Sequence, residues 1–132
     1  MLDRIDIQIE LPSLSYVEIS STGDGGEKSA TIRERVGAAR EFANQRMARA
    51  GCTPKANANL EAAEIRKLCL LDDGAKTILK SAYDNLGLSA RGYDRVLRVA
   101  RTIADLDKSE VIQAQHIAEA IQLRSLDKKY WG

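Results

Sequence analysis

Apolar residues in this chain recur with two different periods. Residues 4–11 alternate strictly: Ile5, Ile7, Ile9 and Leu11 point one way, Arg4, Asp6, Gln8 and Glu10 the other. Period two is the signature of a strand. Pro12 removes a backbone donor and ends it. No second alternating run follows that could pair with it, and a lone strand leaves its N–H and C=O groups unsatisfied. Residues 20–28, Ser-Ser-Thr-Gly-Asp-Gly-Gly-Glu-Lys, read as a flexible linker. Either the strand dimerises through its edge, or it is disordered, or its partners belong to a larger protein from which this piece is cut; residues 1–28 are expected to be mostly disordered or loosely docked.

From Ser29 the period becomes helical. Ser29 is the expected N-cap of a helix to about Ala50, with Gly51 as its stop. Its apolar stripe is Ile32, Val36, Ala39, Ala43 and Met47, with Phe42 beside it. Residues 53–59 read as a loop. A short helix follows over about 60–69, with Leu60, Ile65 and Leu68 inward. Asp72 or Asp73 opens the next, over about 73–86, with Ala75, Ile78, Leu79, Ala82 and Leu86 inward and Gly87 at its end. A helix from Ser89 to about Asp107 comes next, then a connection through 110–112, then a last helix over about 114–125. This pattern predicts an all-α fold, a bundle of four or five helices with short connections.

The Ser89 helix is the most informative of these. Tyr93, Val96, Leu97, Ala100, Ile103 and Ala104 share one face. Arg95 and Arg98 lie within about 40° of Arg91 on the opposite side. Such a row ordinarily reads as a solvated face. Arg91, however, falls in the first helical turn, where the dipole favours anions over cations. A cation kept beside open backbone N–H groups suits a position that a phosphate visits.

The 132 residues are 44% hydrophobic but only 5% aromatic, which implies an aliphatic, alanine-rich core. Net charge is +1, unevenly spread: residues 1–28 carry two basic and six acidic side chains, a net of −4, leaving +5 for the remainder. That excess is modest for a nucleic-acid module. No apolar run of about 18 residues or signal peptide is present, so a membrane is not expected. Cys52 and Cys69 form no CxxC pair, which fits a reducing cytoplasm. With His116 they fall short of the four ligands of a structural zinc, so no metal site is expected. The chain has no GxxxxGK[ST] loop and no catalytic constellation, so by itself it should hydrolyse nothing.

Two strings carry a family resemblance. Leu86-Gly-Leu-Ser-Ala-Arg-Gly-Tyr-Asp-Arg-Val-Leu-Arg-Val-Ala-Arg-Thr-Ile-Ala-Asp-Leu106 resembles the C-terminal domain of magnesium chelatase-like, ComM-type AAA+ ATPases, and Ser-Ala-Arg-Gly-x-x-Arg is similar to their sensor 2 motif. Leu2-Asp3-Arg4-Ile5-Asp6 resembles the segment before the last core strand of those ATPases, and the Ser-Arg-Phe-Asp segment of the replicative minichromosome maintenance helicases. Shorter matches at 32–36, 59–60 and 116–121 extend the likeness over nearly the whole chain. The resemblance implies that residues 1–28 end an ATPase core and that 29–132 form its helical lid. It implies that Arg91 contacts the γ-phosphate of ATP, and that Arg4 is an arginine finger reaching into a neighbouring subunit. It further implies a parent that uses ATP and Mg2+, forms a homo-oligomeric ring and remodels DNA by helicase or branch-migration activity. The piece alone is then monomeric and binds no nucleotide. The alternative is a stand-alone helical module that binds DNA through Arg91, Arg95, Arg98 and Arg101, or that binds another protein.

Overall fold

The computed structural model describes residues 6, 7 and 28–124, and within them five helices form a bundle with one at its centre. They are α1 (Ser29–Arg49), α2 (Ala62–Leu68), α3 (Asp73–Leu86), α4 (Ala90–Leu106) and α5 (Ala114–Gln122), with a 3-10 turn at Asn57–Asn59 before α2. The expected strand at 4–11, apart from Asp6 and Ile7, lies outside the described residues, as do most of the linker and the C-terminal tail.

Helix α4 is the axis of the bundle, packing against α1, α2, α5 and the 3-10 turn, while α3 packs against α5. Its residues Val96 and Ala100 are fully buried, and so are Ala75 of α3 and Ile117 and Ala120 of α5. Alanine at these crossings lets helix axes approach closely, as the low aromatic content implies. Larger side chains, Met47, Leu60, Leu79 and Ile112, fill the space between. Each such burial is worth about 1.5–3 kcal/mol relative to exposure.

Local signals set most helix ends. Asp72 accepts a hydrogen bond from the Ala75 N–H at 2.8 Å and caps α3. Ser89 accepts one from the Gly92 N–H at 3.0 Å and caps α4. Gly87 closes α3 in the left-handed region with φ 67°, which costs glycine no Cβ clash. At α5 the His116 Nδ1 accepts from the Gln113 N–H at 2.9 Å, and Nε2 lies 3.0 Å from the Asp107 carboxylate. The neutral ring therefore carries its proton on Nε2, so His116 serves as a capping residue.

The structure corrects several expectations. Ser29 is the first residue of α1 instead of its cap; Lys28 occupies that position without a side-chain bond. Ile32 and Val36, expected in the packed stripe, are 41% and 38% exposed. Only the second half of α1 reaches the bundle, and Ala39, Ala43, Arg46 and Met47 are its buried residues. Leu86, expected inward, is 43% exposed in the last turn of α3. The 110–112 connection contributes a core residue: Ile112 forms an isolated parallel bridge with Leu71, donating to the Leu70 carbonyl at 2.8 Å and accepting from the Asp72 N–H at 3.0 Å.

Candidate functional site

The four arginines of α4 meet four different surroundings. Arg91 is exposed in the first turn, two residues after the Ser89 cap. The cap explains the glycine of Ser-Ala-Arg-Gly as well. A Cβ on Gly92 would sit 3.3 Å from the Ser89 Oγ and 3.6 Å from Leu88 Cδ2, crowding the hydroxyl that holds the turn. Glycine there keeps Ser89 and the backbone around Arg91 in register.

One turn on, Arg95 is largely buried and its Nη1 makes a short ion pair with the Asp6 carboxylate, across 89 residues of sequence. Asp6 is thereby held to the face of α4 that carries Arg91. Arg4 itself lies outside the described residues. Arg98 turns to the protein: its Nε and Nη2 both donate to the Leu60 carbonyl, at 3.2 and 3.0 Å.

Arg101 corrects the idea of a four-arginine phosphate row. It lies about 80° around the helix from Arg91 and points into the core, where it is fully buried. Its Nη1 donates to the Glu110 carbonyl at 2.9 Å and its Nη2 to the Ser109 carbonyl, and it lies 3.3 Å from Asp105. Asp105 is 2% exposed and also receives Arg46 of α1 through two bonds of 3.1 Å. Asn57 Nδ2 adds a bond to Asp105 at 2.9 Å and another to Thr102 at 3.0 Å. Burial pulls the Arg101 pKa below that of a free guanidinium, while Asp105 acts in the opposite direction. This polar knot ties α1, the 3-10 turn and the α4–α5 connection to α4. Sequence reasoning missed it. Its trace is there in retrospect: Arg46 follows Ala43 by three residues on the packed stripe, and Arg101 falls beside Leu97 and Ala104 on the wheel.

Both cysteines are free thiols, Cys52 half-buried and Cys69 buried. Burial pushes the Cys69 pKa up to about 11, which makes it a poor nucleophile and a poor metal ligand. Among the described residues no group of three or more His, Cys, Asp or Glu side chains could hold a metal ion, and no helix is long and apolar enough to cross a membrane.

Fold and site together define a small all-α domain built on one central helix, whose capped first turn presents an arginine. The family model described as magnesium chelatase, subunit ChlI C-terminal, matches residues 26–124, about three-quarters of the sequence. The chain belongs to that family. It is 45% identical over 125 residues to competence protein ComM of Haemophilus influenzae, covering 95% of this chain and 23% of that protein. It is 42% identical over 127 residues to the uncharacterized protein YifB of Escherichia coli, covering 96% and 24%. It is 33% identical over 124 residues to the uncharacterized protein Rv2897c of Mycobacterium tuberculosis, covering 94% and 24%. The chain thus spans about a quarter of the length of these curated relatives.

Proposed function

We propose that this chain is the nucleotide-responsive lid of a ring-forming, ComM-type AAA+ ATPase, in which Arg91 senses the γ-phosphate. The observation that carries the reading is the placement of Arg91, exposed in the first turn of a helix whose start is held by Ser89. A cation there gains nothing from the helix dipole. It gains from an anion, because a planar guanidinium and first-turn N–H groups can bind phosphate oxygens together. The site fits one contact to ATP, whose terminal phosphate supplies the charge to be recognised. No ligand for the accompanying Mg2+ is assigned to this chain.

Arg4, two residues before the clamped Asp6, is proposed as the arginine finger acting on a neighbouring subunit. Its support is the match of Leu2-Asp3-Arg4-Ile5-Asp6 to the family segment. The name competence protein, carried by the Haemophilus influenzae relative, favours DNA as what the parent remodels in the cytoplasm. The alternative of a DNA-binding module using the arginine row is less favoured, since Arg98 and Arg101 spend their donors on carbonyls of this chain.

The test is Arg91→Ala in a full-length relative, at the matching arginine. Loss of ATP turnover and of nucleotide-dependent assembly is expected; no change in either would refute the sensor role. For Arg4, mixing finger-deficient with P-loop-deficient subunits should restore part of the activity, and a complete lack of rescue would refute action in trans. A gel shift of the 132-residue chain at low salt addresses the alternative. Tight, salt-sensitive binding would favour the DNA module.

A further inference from the structure

A groove of about 670 Å³ runs between α2, α3 and α4, on the opposite side of α4 from Arg95. Its floor is aliphatic, formed by Ile65, Leu79 and Leu97. Tyr83, 48% exposed, stands at one end, set edge-on against Tyr93 with ring centroids 6.0 Å apart and planes at 89°. The rim is cationic. Among the described residues, Arg66, Lys76 and Lys80 line it against a single carboxylate, Asp94. All three cations are exposed, and none has an ion-pair partner or a side-chain hydrogen bond among the described residues. Two cations elsewhere on the domain are paired, Lys55 with Glu64 and Arg49 with Glu110.

We propose that this groove binds an extended segment of another protein in which acidic residues alternate with apolar ones. Charge complementarity supplies the first argument: three unpaired cations against one acid favour an anionic partner. Spacing supplies the second. Lys76 and Lys80 are one helical turn apart, about 6 Å. Alternate residues of an extended peptide are about 6.4–6.8 Å apart and point the same way. Two acidic side chains at i and i+2 therefore meet both lysines while the residue between them turns toward the aliphatic floor. From Lys76 to Tyr83 the rim is about 10 Å long, room for three or four extended residues. The floor favours a peptide over single-stranded nucleic acid. Ile65, Leu79 and Leu97 present no hydrogen-bonding groups for base edges. This inference is independent of the nucleotide role of Arg91.

The experiment uses the 132-residue chain and a fluorescent octapeptide alternating aspartate with leucine, followed by fluorescence anisotropy. Saturable binding is expected, weakened at least tenfold by the surface substitutions Lys76→Glu and Lys80→Glu together. The same doubly substituted chain should gain affinity for a lysine–leucine octapeptide, a swap that misfolding could not produce. Amide shifts on peptide addition should cluster at residues 62–97. The proposal is overturned by the absence of binding up to a dissociation constant on the order of 1 mM, by equal binding to the wild-type and reversed chains, or by tighter binding of a thymidine dodecamer than of the acidic peptide.

Discussion

Replacing Asp105 by alanine should be the most damaging single change to this domain. The carboxylate is 2% exposed and is, among the described residues, the sole acid between Arg46, 5% exposed, and Arg101, fully buried. It accepts two 3.1 Å bonds from Arg46 and one of 2.9 Å from Asn57, and lies 3.3 Å from Arg101. Removing it leaves two guanidiniums inside the bundle without a counter-charge. Breaking a buried pair from one side costs about 3–5 kcal/mol, because the remaining charge stays desolvated and unpaired. A domain of this size has about 5–15 kcal/mol of stability in total. The melting temperature should fall by at least about 12 °C, taking about 4 °C per kcal/mol as the lower slope. Urea unfolding followed by far-UV circular dichroism measures the loss directly. Asp105→Asn, which keeps the shape and one acceptor, should lie between. A triple replacement of Arg46, Arg101 and Asp105 by Met and Leu should recover most of the loss, since it removes the charges together with their solvation cost. A cost for Asp105→Ala below about 1 kcal/mol would refute the view that this knot clamps α1 to α4.

Three further outcomes follow from single groups. Ser89→Ala should cost about 1 kcal/mol by releasing the Gly92 N–H, read by the same urea titration; no measurable loss would mean the cap does not hold the Arg91 turn. With Cys69 raised to about 11, roughly one thiol in a thousand is ionised at pH 8, so a disulfide reagent should label one equivalent, at half-buried Cys52, until denaturant exposes the second; two fast equivalents would contradict the burial. The Glu61 backbone N–H and then Lys55 hold the Glu64 carboxyl below its ordinary value of 4.5. A depressed carboxyl contributes stability that is present above the unfolded pKa and lost as pH falls through the folded one. Unfolding free energy should therefore decline below about pH 4.5, and Glu64→Gln should flatten that decline; parallel pH profiles for the two would refute the assignment.

Periodicity and capping residues alone determined the helices of this protein, because both act within a few residues of sequence. Asp72, Gly87 and Ser89 do what their residue types and positions imply, and the all-α bundle follows from the same local signals, whereas the family was carried by the resemblance of the strings at 2–6 and 86–106. Tertiary structure decided which polar residues go inside. Arg91, Arg95, Arg98 and Arg101 look alike along the sequence, yet one is exposed, one is paired with Asp6, one serves a carbonyl and one is buried. Those fates depend on partners 38 to 89 residues away, and on a loop folded back over α4. The exposure of Ile32 and Val36 has the same origin, since α1 outruns the bundle it packs on. A helical wheel records which way a side chain points, but it holds no information about what stands opposite. Only the packing of α1, α4 and the α4–α5 connection placed Asp105 between two arginines and left Lys76 and Lys80 facing an open groove.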